Sequence, residues 1–194
     1  MPHPATSDLA IVILAGGRAT RFPGKLEADI GGEPLLARVY RHLRDVAPVT
    51  IAARDTFSAH LDALLDCPIV VDRWPDRGPL GGLLSACSEL RAPLVFAVAG
   101  DSPLITRDVL QSLRAARRDG DEAVVPEHGG ALEPLAALYD RVALMRVAME
   151  ALRGPDRSMH AALAKLRTRR VPLEQRFFLN VNTADDVDRL RAPV

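Results

Sequence analysis

A short apolar run leads directly into a glycine-rich, basic loop near the start of the chain. The run is Leu9-Ala-Ile-Val-Ile-Leu14, and the residues that follow are Ala15-Gly-Gly-Arg-Ala-Thr-Arg-Phe-Pro-Gly-Lys25. An unbroken apolar run of this length is typical of a strand that is buried on both faces of a parallel sheet. Open α/β sheets bind ligands beyond the carboxyl ends of their strands, where Gly16 and Gly17 would let backbone amides approach a phosphate. The sequence therefore predicts a phosphate-binding loop after the first strand.

Neither of the two common phosphate-binding motifs fits this loop. The nucleoside-triphosphatase loop requires Ser or Thr after its Gly-Lys pair, whereas Leu26 follows Lys25 here. The dinucleotide fingerprint fails because no Gly-x-Gly-x-x-Gly series starts in this stretch. What remains is a glycine pair followed by Arg21 and Lys25, two cations four residues apart that are enough to surround one triphosphate. The alternative is a glycine-rich turn whose charges are merely solvated.

Further apolar runs alternate with amphipathic stripes along the chain. Four short aliphatic runs, typical of additional strands, lie at residues 49–53, 68–71, 94–99 and 123–126. Apolar residues at helical spacing occur within residues 35–43, 61–65 and 109–113, and later helices are expected at 141–152 and 161–166. A last helix is expected after Thr183-Ala-Asp-Asp186, which approximates a capping box. This alternation predicts an α/β fold with three layers, a mostly parallel sheet between helices.

Length and charge limit the classes of protein to consider. A chain of 194 residues suits one domain, and its 25 basic and 25 acidic residues give no net field for nucleic acid or an anionic membrane. No secretory signal and no apolar stretch near the ~20 residues of a membrane span are visible. We therefore expect a cytosolic protein without nucleic-acid or membrane partners. We also expect a monomer, although neither charge nor length determines the oligomeric state. Cys67 and Cys87 lack metal-ligand spacing and are expected to be buried thiols.

Two aspartates come directly after predicted strands. Asp101, in Gly100-Asp-Ser-Pro103, follows the most apolar strand and lies on the same rim as the Lys25 loop. Magnesium often takes one or two carboxylates and completes its shell with substrate phosphates and water, so Asp101 alone is a sufficient protein ligand. Asp72 follows the third strand and precedes the glycine-rich segment Gly78-Pro-Leu-Gly-Gly82. For both aspartates the alternative is a turn or helix start without chemistry.

Two asparagines near the end of the chain flank a single valine. In Asn180-Val-Asn-Thr183 an extended backbone would direct both amides to the same side. Asparagine is depleted in strands, so a pair that faces one way favours contact with a ligand or cation. The alternative is a helix-entry loop in which Asn182 and Thr183 act as caps.

Taken in order, these segments resemble the molybdenum cofactor guanylyltransferases, a branch of the nucleotidyltransferases with a Rossmann-like fold. The resemblance spans nearly the whole chain and rests on the opening loop, Asp72, Gly78-Pro-Leu-Gly-Gly82, Gly100-Asp-Ser-Pro103, Glu133-Pro-Leu-Ala-Ala-Leu-Tyr139 and Asn180-Val-Asn-Thr183. It implies one nucleotidyltransferase domain over residues 1–194, with a nucleotide-binding part at about 8–105 and an acceptor-binding part at about 106–194. The implied reaction moves GMP from GTP to molybdopterin and releases pyrophosphate.

The resemblance also assigns roles to residues. Lys25, Arg21 and Asp101 would be catalytic, Asp101 would bind Mg²⁺, and Asn180 and Asn182 would bind the acceptor. The nucleotide-binding residues would be Leu14, Ala15, Gly16, Gly17, Arg21, Lys25, Asp72, Gly81, Gly82 and Asp101. The family further implies transient contact with the enzymes that insert or receive the cofactor.

Two features depart from the family and leave alternatives open. The segment Arg21-Phe-Pro-Gly-Lys25 is shorter than the family's loop and resembles the cytidylyltransferases that activate 3-deoxy-manno-octulosonate. Ala53 also lies where the family often has an asparagine, so one expected base contact is missing. A related transferase that uses CTP or another phosphorylated or sugar-acid acceptor therefore stays open, as does a nucleotide-binding module without catalysis.

Overall fold

Eight strands and seven α-helices make up the part of the chain that the computed structural model describes, residues 7–16 and 22–191. The strands are β1 (Leu9–Ala15), β2 (Val49–Ala53), β3 (Ile69–Val71), β4 (Leu94–Ala99), β5 (Ala123–His128), β6 (Ala131–Leu132), β7 (Ala136–Asp140) and β8 (Thr168–Pro172). The helices are α1 (Leu35–Leu43), α2 (Ala59–Asp62), α3 (Pro79–Glu89), α4 (Arg107–Ala116), α5 (Arg141–Arg153), α6 (Met159–Leu163) and α7 (Ala184–Arg191). Short 3-10 turns occur at Lys25–Glu27 and Gln175–Phe178.

All eight strands form one sheet, whose order is β3-β2-β1-β4-β7-β5-β6 with β8 paired to β5. Strands β3, β2, β1 and β4 are mutually parallel, and β7 runs antiparallel between β4 and β5. The chain moves outward from β1 to β2 and β3 and then returns to place β4 on the other side of β1. The strand order thus reverses between β1 and β4, and the carboxyl ends of these two strands border the crevice where such sheets bind ligands.

The two faces of the sheet carry two separate cores. Leu9, Ile11 and Ile13 of β1 pack on one face with apolar residues of α1 and α4. Val12 of the same strand points to the opposite face, where residues of α3, α5 and α6 cover it. Ile11, Val12 and Ile13 are each 0% exposed, which confirms that β1 is buried on both faces. The predicted three-layer α/β fold with a mostly parallel sheet is confirmed.

The structure also contains strands that the sequence patterns did not predict. β8 reads Thr-Arg-Arg-Val-Pro and is largely solvated on both faces, so it lacks an apolar run. β6 has only two residues, and β7 reads Ala-Ala-Leu-Tyr-Asp, in which small residues weaken the strand pattern. The helix expected at 161–166 runs instead from Met159 to Leu163 because Ser158 caps its start through a hydrogen bond from the Ala161 amide.

None of the helices within the described ranges is both long enough and apolar enough to cross a membrane.

Tyr139 anchors the strand that reverses the sheet direction. Its side chain is 1% exposed, and its hydroxyl donates a hydrogen bond of 2.7 Å to the carbonyl of Pro134. Burial raises the pKa of Tyr139, so the hydroxyl keeps its proton and remains a donor. This bond fixes the turn before β7 at the carboxyl edge of the sheet.

Tyr139→Phe is expected to lower the free energy of unfolding by about 1–2 kcal/mol, because it leaves the buried Pro134 carbonyl without this donor. Urea unfolding followed by circular dichroism measures the change. Tyr40→Phe is the matched control, since the Tyr40 hydroxyl donates at 2.8 Å to the carbonyl of Asp66, an exposed residue, and this bond is only part-buried. The interpretation is wrong if both variants lose the same stability or neither loses any.

Candidate active site

The carboxyl ends of β1 and β4 bring two of the sequence motifs into direct contact. The amide of Gly100 donates to the Leu14 carbonyl at 2.9 Å, which extends the ladder between the two strands by one bond. A Cβ on Gly100 would lie 3.0 Å from that same carbonyl oxygen, so a larger residue would disturb this approach. Asp101 is therefore delivered to the rim directly beside the end of β1.

An ion pair joins Lys25 to Asp101 at this rim. The Lys25 ammonium donates to Oδ2 of Asp101, and it also donates to the Val181 carbonyl at 3.3 Å. The Lys25 and Asp101 side chains are 15% and 18% exposed, so water reaches the pair without surrounding it. The Val181 amide in turn donates to the Asp101 carbonyl at 2.9 Å. Segments that are 76 and 156 residues apart in sequence thus meet at one ammonium group.

The position of Lys25 follows from the turn that carries it. Gly24 has a left-handed backbone with φ 73°, which reverses the chain immediately before the Lys25–Glu27 turn. Glu27 accepts a hydrogen bond of 2.9 Å from the Ser58 amide, and this bond from the backbone keeps the pKa of Glu27 below its ordinary value. The turn is thereby fastened to the start of α2, and Lys25 is directed toward β4.

The asparagine motif lies in a loop rather than in a strand. Val181 is 0% exposed, whereas Asn180 and Asn182 on either side of it are exposed. Ser102, which is 4% exposed, donates from its hydroxyl to Oδ1 of Asn180 at 2.6 Å. The loop is therefore held against the Asp101 turn by both backbone and side-chain bonds.

The predicted capping box at the start of α7 is present. Oδ2 of Asp186 accepts from the amides of Asn182 and Thr183, each at 2.9 Å, and the Asp186 amide donates to the Thr183 hydroxyl at 3.3 Å. The hydrogen bond from the Asn182 amide is the main reason that the pKa of Asp186 lies below its ordinary value. The backbone of Asn182 thus serves the helix start while its side chain remains exposed at the rim.

Asp72 is held inside the loop between β3 and α3. Its Oδ1 accepts from the Trp74 amide at 2.8 Å and from the Ser85 hydroxyl at 3.3 Å. Since β2 separates β3 from β1, Asp72 lies two strands away from the end of β1. The structure gives this carboxylate a clear local role in shaping the loop, and its contact with a nucleoside stays a prediction.

Gly81 and Gly82 let α3 approach this loop closely. A Cβ on Gly81 would lie 2.7 Å from the Trp74 carbonyl oxygen, and one on Gly82 would lie 3.0 Å from Cδ2 of Leu14. Both glycines are buried in the helix. The sequence analysis did not identify this packing role of the two glycines. Their predicted contact with a nucleotide stays a prediction.

The opening loop is described only in part. Leu14 and Ala15 end β1, and Gly16 follows them beside the backbone of Arg54. Gly17 and Arg21, which were predicted to bind phosphates, lie outside the described residues.

A histidine and a glutamate pair beside the asparagine loop. His128 ends β5, and its Nε2 lies 2.7 Å from Oε1 of Glu133. The His128 ring stacks on Phe178, with ring centroids 5.2 Å apart. The stacked rings support the chain two residues before Asn180, at the start of the asparagine loop.

An open cavity of about 320 Å³ lies on the far side of the Lys25 turn, against α7. Its lining includes the carboxylates Glu27, Asp29 and Asp188. The predicted motifs meet at the carboxyl ends of β1 and β4 and not in this cavity, so the crevice between these two strands remains the candidate site.

Within the described residues, neither cysteine is a thiolate at neutral pH and no cluster of side chains could hold a metal alone. Cys87 is buried as predicted, whereas Cys67 is only partly buried. Burial raises the pKa of Cys67 to about 11 and that of Cys87 to about 12, so both remain thiols at neutral pH. No group of three or more His, Cys, Asp or Glu side chains in this part of the chain could hold a metal by itself. A cation at Asp101 would need ligands from substrate.

Sequence reasoning missed three contributors to this rim. Ser102 lies within the motif Gly100-Asp-Ser-Pro103, but the sequence analysis gave it no role. Val181 contributes through its backbone, which residue type does not reveal. Arg54 follows β2 and belongs to no motif. The composition gives one further indication that Lys25 is special. Only 2 of the 25 basic residues are lysines, and Lys25 is one of them.

A model of the MobA-like NTP transferase domain matches residues 11–171 of this sequence. The chain belongs to this family. A molybdenum cofactor guanylyltransferase from Burkholderia orbicola is 32% identical to this MobA-like chain in an alignment 202 positions long that covers 98% of each protein. The resemblance predicted from the motifs is confirmed.

Solved structures of similar fold include transferases for different nucleotides. A molybdopterin-guanine dinucleotide biosynthesis protein A from Archaeoglobus fulgidus matches with a TM-score of 0.77 and 24% identity, covering 94% of this chain and 96% of that one. A 4-diphosphocytidyl-2C-methyl-D-erythritol synthase from Anaerococcus prevotii matches with a TM-score of 0.72 and 12% identity, covering 94% and 96%. At these identities the likeness establishes the fold alone, and base selectivity must be sought in individual residues of this MobA-like chain.

Gly81→Ala is expected to lower the free energy of unfolding by about 1–2 kcal/mol. Overpacking against the Trp74 backbone costs about 1–3 kcal/mol, and the better helix propensity of alanine returns up to about 1 kcal/mol. Chemical unfolding measures the difference.

Gly154→Ala is the control for this comparison, since its Cβ would meet only the Ala151 and Glu150 carbonyls at 3.6 and 3.8 Å, which are ordinary contact distances. That variant should be as stable as the parent chain or slightly more stable. Equal stability of the two variants would contradict the packing role of Gly81.

Proposed function

We propose that this MobA-like transferase moves GMP from GTP to a molybdopterin-type molybdenum cofactor and releases pyrophosphate. The observation that carries the proposal is the meeting of Lys25, Asp101 and Val181 at one rim. This contact joins the phosphate loop to the cation motif and to the asparagine motif. The name of the Burkholderia relative, a molybdenum cofactor guanylyltransferase, supports the choice of substrates.

Magnesium is the proposed cofactor, since transferases of this family generally use a divalent metal. The residues fit such an ion because the Asp101 carboxylate is partly exposed and already binds a cation, the Lys25 ammonium. One carboxylate with substrate phosphates is a common magnesium environment. When bound, the ion neutralises phosphate charge and orients the triphosphate.

Lys25 is proposed to change partners when the nucleotide binds. Its ammonium is a compact charge on a flexible stem, so it can turn from the Asp101 carboxylate to a phosphate oxygen without loss of an ionic partner. The Asp101 carboxylate then becomes available to the cation. Gly16, Gly17 and Arg21 would complete the phosphate contacts, and Leu14 and Ala15 would line the crevice beneath them.

The reaction itself needs positioning more than proton transfer. An oxygen of the acceptor phosphate forms a bond to the α-phosphorus of GTP while the bond from that phosphorus to the β-phosphate bridging oxygen breaks. The electron pair leaves with pyrophosphate, whose growing charge is stabilised by Lys25 and Arg21. A phosphate acceptor is ionised near neutral pH, so no general base is required.

The two substrates are proposed to bind on opposite sides of Lys25 and Asp101. The part at about 8–105 would hold the nucleotide, with Asp72, Gly81 and Gly82 near the nucleoside. The part at about 106–194 would hold the acceptor through Asn180 and Asn182, both of which are exposed at the rim. We propose that the domain works as a monomer in the cytoplasm and that it contacts the enzymes that insert or receive the cofactor only transiently.

A second candidate is a cytidylyltransferase that acts on another phosphorylated or sugar-acid acceptor. Its support is the short segment Arg21-Phe-Pro-Gly-Lys25 and the shared fold with the Anaerococcus synthase. A nucleotide-binding module without catalysis is a weaker alternative, because Lys25 and Asp101 are both present and paired.

The deciding experiment supplies the purified chain with magnesium, a molybdopterin-bearing acceptor and each of GTP, CTP, ATP and UTP in parallel. Pyrophosphate release and the dinucleotide product are measured by chromatography. Product from GTP at the highest rate supports the proposal. A higher rate with CTP would favour the second candidate, and no product with any nucleotide would contradict guanylyl transfer.

Lys25→Ala is expected to lower kcat by about a hundredfold or more, because the leaving pyrophosphate loses a cation that stabilises its charge. Single-turnover kinetics with saturating GTP measure the loss. The chain's other lysine provides the control, since Lys165 forms a surface pair with Glu150, and Lys165→Ala should leave kcat unchanged. Normal turnover in Lys25→Ala would remove its proposed phosphate role.

Asp101→Asn is expected to abolish the dependence of the rate on magnesium in the millimolar range, since a neutral amide binds a hard cation weakly. Binding of Mn²⁺ in the presence of GTP, followed by electron paramagnetic resonance, gives a readout other than activity and should weaken in parallel. Asp119→Asn is the control because Asp119 is exposed in the loop after α4. If Asp101→Asn keeps the parent magnesium response, another residue holds the ion.

A further inference from the structure

Arg54 is the first residue after β2 and lies beside the opening loop. Ala53 pairs in register with Ala15 across the parallel ladder, so the two strands end together. A Cβ placed on Gly16 would lie 3.5 Å from the Arg54 nitrogen and 3.7 Å from its Cβ. The Arg54 side chain therefore leaves the sheet at the carboxyl edge, next to the proposed phosphate site.

A carboxylate from the neighbouring loop holds the Arg54 guanidinium. Nη1 of Arg54 donates to Oδ1 of Asp76 at 2.6 Å, and Nε of Arg54 lies 3.9 Å from Oδ2 of Asp55. The Arg54 side chain is 34% exposed, which leaves part of the planar group open to a ligand. The ion pair connects the loop after β2 to the loop that enters α3.

Asp76 occupies an unusual backbone conformation. It is the one non-glycine residue in the described part of the chain with a positive φ, 67°. Such a conformation costs of order 1 kcal/mol or more, although aspartate and asparagine tolerate it better than most residues. The loop therefore presents Asp76 to Arg54 in a fixed geometry, which reduces the cost of ordering the guanidinium on ligand binding.

Position 53 cannot supply the missing base contact. Ala53 is 1% exposed, and its carbonyl accepts a hydrogen bond from the Asp72 amide. Its side chain is buried within the sheet, so the next residue, Arg54, is the first after β2 to reach the rim.

If the proposed arrangement of substrates holds, the nucleobase must lie at the rim formed by β2 and β3. Lys25 and Asp101 mark the phosphates at the ends of β1 and β4. Asn180, which accepts a hydrogen bond from Ser102, is proposed to bind the acceptor on the side of the rim toward β7 and β5. The rim of β2 and β3, where Arg54 and Asp76 meet, remains for the nucleoside.

We propose that Arg54 selects guanine by donating to its O6 and N7 atoms, an inference that rests on the proposed guanylyl transfer. A guanidinium offers donors in a planar fork, and O6 and N7 of guanine are two adjacent acceptors that match it. Adenine presents its N6 amino donor in place of O6 and repels one arm of the fork. Arg54 thus supplies the base contact that Ala53 lacks, and Asp76 is the positioning residue that aims it.

The test compares kcat/KM for GTP and ATP in Arg54→Ala, Arg54→Lys and the parent chain. Arg54→Ala should lower kcat/KM for GTP by roughly 10- to 100-fold, the range of a bidentate contact to guanine, and leave the value for ATP nearly unchanged. Arg54→Lys keeps the charge without the fork and should show a similar loss of selectivity. Arg73→Ala is the matched control, since Arg73 is exposed and pairs with Glu89.

Asp76→Asn tests the positioning role separately. Asparagine accepts the same backbone conformation, so the loop should keep its shape while the ionic hold on Arg54 is lost. The expected result is a several-fold rise in KM for GTP with kcat preserved. An unchanged KM would contradict the role of Asp76.

Two outcomes would overturn the role of Arg54. An equal loss of kcat/KM for GTP and for ATP in Arg54→Ala would show a phosphate contact, and unchanged values for both nucleotides would show that Arg54 contacts neither of them. Thermal stabilisation of the same variants by GTP and by ATP, without acceptor, gives the same comparison independently of turnover. If the parent chain transfers no nucleotide, guanylyl transfer fails, whereas the binding comparison still decides the role of Arg54.

Discussion

The Lys25–Asp101 ion pair is the interaction on which the assembly of the candidate site depends. It fastens the opening loop to the turn after β4, and the Val181 carbonyl adds the last segment of the chain to the same ammonium. Almost all of the remaining basic residues are arginines, which make up 23 of the 25 basic residues in this sequence. A forked guanidinium would grip the Asp101 carboxylate through two bonds, whereas an ammonium can leave it more readily. The choice of lysine therefore suits the change of partners proposed for nucleotide binding.

The sequence predicted the parts of the fold that depend on burial. β1 and β4 are continuous apolar runs because both of their faces are covered, and α1 and α4 carry clear apolar stripes against that sheet. β8 escaped prediction because it is solvated and rich in arginine, and β7 because alanine fills two of its five positions. The formation of such strands depends on the neighbouring strands with which they pair. A local sequence pattern contains no information about those neighbours.

The sequence predicted the placement of residues at the rim where charged motifs follow the ends of strands. Lys25 and Asp101 were predicted to share one rim, and they are in contact. The buried positions of Gly81 and Gly82 depend on how closely α3 approaches Trp74 and Leu14, which is a tertiary distance that no sequence spacing encodes. The roles of Arg54 and Ser102 likewise arise from neighbours that are distant in sequence.

The contact between Lys25 and Val181 spans 156 residues, and this separation has a consequence for synthesis of the protein. Strands β1 to β4 leave the ribosome first and can fold as they emerge. The rim stays incomplete until residue 181 is available, because Asp101 and Lys25 both bind the backbone of that residue. A nascent or truncated chain that stops earlier therefore keeps β1 to β4 but lacks the Val181 segment that completes this rim.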